Sequence, residues 1–113
     1  VFSYLNTASS INQIYGNLAE TFNLKQNYPN PFNPTTNLEF GIANWGFVSI
    51  NIFDVLGNKV ANLVNTNLNQ GSYKYVFNST DLKSGVILHS GIYFYTLSVN
   101  GEIKDTKSMI LLK

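Results

Sequence analysis

The chain has 113 residues, 17 of them Asn and none Cys, so it is long enough to bury one core without disulfide staples, and the missing cysteine leaves its redox compartment open. Seven Lys, no Arg and six acidic residues sum to a net charge of +1, which excludes the basic footprint of a nucleic-acid or anionic-membrane binder. No apolar run approaches the roughly 18 residues of a membrane-spanning helix, and no charged-then-apolar signal peptide opens the chain. Because the sequence begins at Val1 and not at Met, it reads as a processed product or an excised piece. Asparagine is poor in helix interiors and good in turns. With Tyr and Phe supplying nearly all the aromatic content, the composition predicts an all-β protein with many turns.

Residues 1–23 read as an N-terminal extension and residues 24–113 as the folded domain. Within the extension, Ser10-Ile11-Asn12-Gln13 fits a helix capping box, and Ile11, Ile14, Tyr15 and Leu18 fall at helical spacing. Gly16 and the two isoleucines weaken that helix, and residues 1–5 suit a short strand as well. Chain ends are ordered only when something ties them down. The extension is therefore expected to dock, either on its own domain or on a neighbouring copy, with Val1, Phe2, Tyr4 and Leu5 as candidate subunit contacts.

The next stretch, Gln26-Asn27-Tyr28-Pro29-Asn30-Pro31-Phe32-Asn33-Pro34, cannot be helix. Its prolines fix φ near −65°, remove donors, and push Tyr28, Asn30 and Asn33 toward extended conformations. The expectation is a stiff polyproline-like ribbon with Asn at the bends and Tyr28 and Phe32 as anchors, serving as a strap over the core or as a ligand for an aromatic groove.

Strand patterns follow. Leu38, Phe40 and Ile42 alternate with Asn37, Glu39 and Gly41, giving one buried face, and residues 47–53 place Val48, Ile50 and Ile52 inward. Asp54 to Asn58 turns the chain; Asp54 is expected to accept from backbone N–H groups of its own turn while Gly57 or Asn58 takes the left-handed conformation. A further strand is predicted over residues 59–64, then an Asn-rich loop up to Gly71. Tyr73, Tyr75 and Phe77 share a face of the next strand, residues 81–85 read as a turn, and residues 86–88 as a short edge strand. Trp45 sits at a hairpin tip, where it either packs under a neighbouring strand or stays exposed to stack on sugar or on another subunit.

The C-terminal part carries the strongest signals. Residues 90–98 are aromatic and β-branched, alternate in polarity, and run into Asn100-Gly101, a strong hairpin signature. A two-residue turn would set Ser98 against Ile103 and mix the faces. A three-residue loop, Val99-Asn100-Gly101, instead sets Leu97 against Ile103, with Tyr93 and Tyr95 on the same side and Thr96, Ser98, Glu102, Lys104, Thr106 and Ser108 on the other. Beyond Lys107 the run Met109-Ile110-Leu111-Leu112 reads as a strand covered on both faces, by its own domain or by a partner.

Reactive chemistry finds no foothold in the pattern. His89 stands without Cys or a nearby carboxylate and reads as a turn residue, so neither a triad nor a zinc set is expected. Asp54 lacks the neighbouring carboxylates a metal ligand would need, the glycines are dispersed one per turn, and Asn78-Ser79-Thr80 is a sequon that so Asn-rich a chain makes by chance. No catalytic residue, cofactor or metal is predicted, and the protein reads as a non-enzyme.

The proline ribbon, the Phe53-Asp54-Val55-Leu56-Gly57 turn, Gly71-Ser72-Tyr73, Ser90-Gly91-Ile92-Tyr93-Phe94-Tyr95 and the closing run 107–113 together resemble the C-terminal sorting domain of the type IX (Por) secretion system, type A. Phe77 departs from the pattern, standing where that family usually has tryptophan. The resemblance implies a seven-strand immunoglobulin-like β-sandwich, similar to the domain of the flagellar hook cap. Such a domain carries a secreted protein across the outer membrane of a gram-negative bacterium to the cell surface and is then usually clipped off. It also implies that Lys107, Met109, Leu111, Leu112 and Lys113, with the ribbon, are what the outer-membrane secretion machinery reads.

A structural role is the alternative. A sorting-type domain without cargo would itself be the product, a homo-oligomeric subunit of an extracellular filament whose extension adds a strand to the next copy's open edge. The run 109–112 would be a fitting receptor edge, with Trp45 as a further contact. A carbohydrate-binding sandwich, resting on Trp45 and the tyrosines alone, ranks last.

Overall fold

The computed structural model describes residues 11–14, 21–82 and 85–113. Among them the helices and strands are all strands: β1 (Ile11–Ile14), β2 (Asn23–Leu24), β3 (Thr35–Ile42), β4 (Gly46–Phe53), β5 (Lys59–Leu68), β6 (Gly71–Asn78), β7 (Gly91–Val99) and β8 (Glu102–Leu111). They pair antiparallel in two sheets, ordered β1-β6-β3-β2 and β5-β4-β7-β8. Alternation sends one side of each strand inward. Leu38, Phe40 and Ile42 from β3, Val48, Ile50 and Ile52 from β4, Tyr73 and Phe77 from β6, and Tyr95, Leu97 and Val99 from β7 fill one shared core. This is the predicted β-sandwich.

Sequence and structure part at several elements. The helical reading of Ser10-Ile11-Asn12-Gln13 is corrected: Ile11–Ile14 is an edge strand on β6. The open flank of β6 supplies ladder partners, β-branched isoleucines suit a pleated surface, and Ile11 is buried in the core. Residues 65–68, expected as loop, continue β5 instead. Leu68 is fully buried, and Asn65 faces outward, where the Ser49 hydroxyl donates to its Oδ1 at 2.9 Å; a cross-strand bond thus occupies the side chain that locally favours a turn. Residues 86–88 are not strand. Leu88 is buried while Val86 and Ile87 are exposed, so one side chain pins an irregular connection.

The β7–β8 hairpin solves the face-sorting problem differently from the predicted three-residue loop. Asn100 (φ 53°) and Gly101 (φ 85°) both take positive φ, as a two-residue type I′ turn requires, and Ser98 does pair with Ile103. The register then shifts by one, so that Leu97 faces Asp105 and Lys104 is the extra residue of a bulge. Ile103 is left 61% exposed. Downstream the sorting is restored, with Tyr93 opposite Met109 and Gly91 opposite Leu111. The Asp54 turn matches expectation: its Oδ1 accepts from the Leu56 and Asn58 N–H groups at 2.9 Å each, and Gly57 takes φ 87°.

Candidate functional site

The proline ribbon fastens the two sheets together along the side where β2 and β8 meet. Residues 29–31 and 33–34 are bends, so the segment is not the expected polyproline-like extension. At one end, Tyr28 exchanges backbone bonds with Asn37 of β3, at 3.2 and 2.9 Å. At the other, Phe32 forms a parallel bridge with Leu111 of β8: its N–H donates to the Ile110 carbonyl and its carbonyl accepts from Leu112 N–H, both at 3.0 Å. Asn30 Oδ1 accepts from Ile110 N–H at 2.9 Å, and Gln26 Nε2 donates to the Ser108 carbonyl at 2.6 Å. Just upstream, Leu24 N–H donates to the Asp105 carboxylate at 3.2 Å. The outward backbone groups of the C-terminal half of β8, which an edge strand would expose, are therefore held by the ribbon.

Two buried polar side chains set the ribbon's shape. Asn27 Nδ2 donates to the Pro29 carbonyl at 3.2 Å and to Thr36 Oγ1 at 3.0 Å. The Thr36 hydroxyl donates in turn to the Pro29 carbonyl at 2.8 Å, and Asn27 Oδ1 accepts from Gln26 at 2.7 Å. Tyr95 crosses the core from β7. Its hydroxyl accepts from Asn27 N–H and donates to the Lys25 carbonyl, both at 2.7 Å, which is how a buried aromatic with a polar tip satisfies that tip. Burial pushes this hydroxyl up to about 12. Phe32 is buried beside Phe77, ring centroids 5.9 Å apart.

The residues singled out in the C-terminal run lie in different environments. Met109 and Leu111 are fully buried, Lys107 is half-buried, and Lys113 is exposed with its N–H donating to Ser90 Oγ at 2.8 Å. Leu112 is 52% and Ile110 38% exposed, so the chain itself covers one face of this strand and leaves the other open. Ile110 faces Ile92 across the ladder, and with the exposed Phe94 and Leu112 they leave an apolar strip on the outer face of the second sheet. Sequence reasoning missed Ile92 and Phe94, although their alternation with Tyr93 and Tyr95 marks β7 as apolar on both faces.

Trp45 is 64% exposed in the β3–β4 connection, at the opposite end of the second sheet from Leu111 and away from the ribbon. Val1, Phe2, Tyr4 and Leu5 lie outside the described residues. The Asp54 carboxyl is held below its ordinary range chiefly by the Asn58 backbone N–H, a turn contact. Among the described residues, no group of three or more His, Cys, Asp or Glu converges, and no helix is long and apolar enough to cross a membrane.

Comparison with known proteins gives one family. The description "Secretion system C-terminal sorting domain" matches residues 26–112, from the first ribbon residue bound to β8 through the last strand. No curated protein and no solved structure matches the chain. The family is one of type IX sorting signals and not of enzymes; its members interact with the secretion machinery and mark a secreted or cell-surface protein. Ribbon, sandwich, closing strand and family match agree, and the chain belongs to the secretion system C-terminal sorting domain family.

Proposed function

We propose that the outer-membrane secretion machinery reads a composite surface, the C-terminal end of β8 clamped by residues 26–34, and so directs an upstream protein across the outer membrane of a gram-negative bacterium to its surface. The observation that carries this reading is the parallel bridge of Phe32 to Leu111, flanked by the Asn30 and Gln26 side chains on Ile110 and Ser108. Met109 and Leu111 anchor the strand, while Lys107, Leu112 and Lys113 are presented to the machinery. A surface preformed in this way binds with less ordering cost than a loose tail, and an occupied edge resists pairing with the wrong strand. A reporter fused ahead of the chain tests it. Removing residues 107–113 is expected to leave the reporter in the periplasm, and undiminished export would remove the signal role.

A second reading is a self-assembling subunit of an extracellular filament. What favours it is β1, a segment of the extension that acts as an added strand on the open flank of β6. The expected receptor edge at 109–112 is filled by the ribbon, so an acceptor must lie elsewhere. Electron micrographs of the native material separate the readings: rods support assembly, and isolated particles at all concentrations oppose it.

A further inference from the structure

Among the described residues β1 is seated on the edge of β6, and another copy of the chain can supply the same edge. Ile11 pairs with Tyr75, Asn12 with Lys74, Gln13 with Tyr73 and Ile14 with Ser72. Ile11 fills a core position, at 2% exposure. The Gln13 side chain lies over Gly71, in space that a Cβ there would take, and its Nε2 donates to the Gln70 carbonyl at 3.4 Å. The other flank of β6 belongs to β3, so among the described residues β1 is the strand that covers this edge of the first sheet.

The connection to the rest of the chain is long for the distance it spans. β1 and β2 occupy opposite edges of the same sheet, and Ile14, Ser72, Gly41 and Asn23 stand in one row across it. Three strand spacings separate Ile14 from Asn23, about 14 Å. Residues 15–22 join them, and eight residues reach as far as about 26–29 Å. A connection of that length can place β1 on its own β6 or on that of an adjoining molecule. Exchange preserves every ladder bond and the Ile11 pocket. The balance between the two is therefore set by the concentration of other copies against the effective concentration of the chain's own β1, taken as about 1 mM.

We propose that the β6 edge from Gly71 to Tyr75 is a strand-acceptor site, filled by the chain's own Ile11–Ile14 in the isolated domain and by Ile11–Ile14 of a second copy at high local concentration. Within the extension, the donor proposed is residues 11–14. This deepens the self-assembly reading above and rests on it. One-way donation from copy to copy gives an open chain, whereas reciprocal exchange closes a dimer.

The chain has no cysteine of its own, so crosslinks report the pairing directly. Asn12 and Lys74 are antiparallel Cα partners, within the roughly 4.4–6.8 Å that a disulfide requires. The full chain carrying both Asn12→Cys and Lys74→Cys is expected to close an intrachain disulfide when dilute; failure to do so would overturn the site. Full chains carrying Asn12→Cys or Lys74→Cys singly, co-refolded at about 1 mM, are expected to give a mixed disulfide several-fold above a control mixture of Asn12→Cys with Lys59→Cys. No excess over that control would overturn the exchange. If the native chain still forms rods under the microscope, assembly stands and only the acceptor site is wrong; if it forms none, both fall.

Discussion

Replacing Tyr95 by Phe keeps the ring that packs the core and removes only the hydroxyl that holds the ribbon. The Asn27 N–H, at a residue 2% exposed, loses its acceptor at 2.7 Å, and the Lys25 carbonyl loses its donor at the same distance. A buried donor left without a partner costs about 1–3 kcal/mol and an ordinary lost hydrogen bond about 1 kcal/mol, so the variant is expected to lose about 2–4 kcal/mol. Against a total of about 5–15 kcal/mol it stays folded, with its urea midpoint lowered by about 1–3 M. Titration gives a second handle on the same group. The folded-state value is about 12 against an ordinary 10.0. A raised pKa means that the folded state keeps its proton longer, so the stabilisation is fully present below pH 10 and is lost as pH rises from 10 to 12. The direction of this alkaline loss follows from linkage. The wild-type chain is expected to lose stability more steeply across that window than Tyr95→Phe, since the other tyrosines contribute equally to both. A change below about 0.5 kcal/mol at pH 7, or equal alkaline slopes, would refute the claim that this hydroxyl ties the ribbon to the sandwich.

Gly46→Ala is expected to destabilise by about 1–3 kcal/mol, read as a lower thermal midpoint, because a Cβ there would stand 2.9 Å from Val99 Cγ1 and 3.1 Å from Asn100 Nδ2. Leu111→Ala should cost about 2–5 kcal/mol and Leu112→Ala under about 0.5 kcal/mol, a contrast that urea denaturation reads; similar values would contradict the one-sided burial of β8. Asp54 should titrate below 3.8 in the folded chain when followed by carboxyl resonance. Its contribution is present above 3.8 and lost as pH falls through the lower folded value, so Asp54→Ala should flatten the acid limb of the stability curve.

Much of the sandwich is legible because β3, β4, β6 and β7 each carry inward apolar side chains at every second position, and for β4 and β7 a sheet partner lies next in the sequence. β1 is not legible. Ile11 and Ile14 stand three residues apart, a spacing that also suits a helix, and the partner that decides the matter, β6, is far along the chain. Local preference also misleads at Asn65, whose turn propensity yields to the Ser49 hydroxyl across the ladder. At the β7–β8 hairpin the alternation shows that one residue must be inserted, but a longer loop and a bulge at Lys104 sort the faces downstream equally well. The ribbon's role is the least accessible part of the site. Proline excludes helix, yet the bonds that matter join Asn27 to Tyr95 and Phe32 to β8, and no periodicity encodes them.

The claim at the centre of this account is that the sorting signal is β8 as held by the ribbon. The most direct measurement is surface export of an upstream reporter with Gln26→Ala and Asn30→Ala together, leaving residues 107–113 intact and confirming by circular dichroism that the sandwich is folded. These changes remove the side-chain bonds to Ser108 and Ile110. Export is expected to fall several-fold while the fold persists; export at the wild-type level would show that the C-terminal strand is read without its clamp.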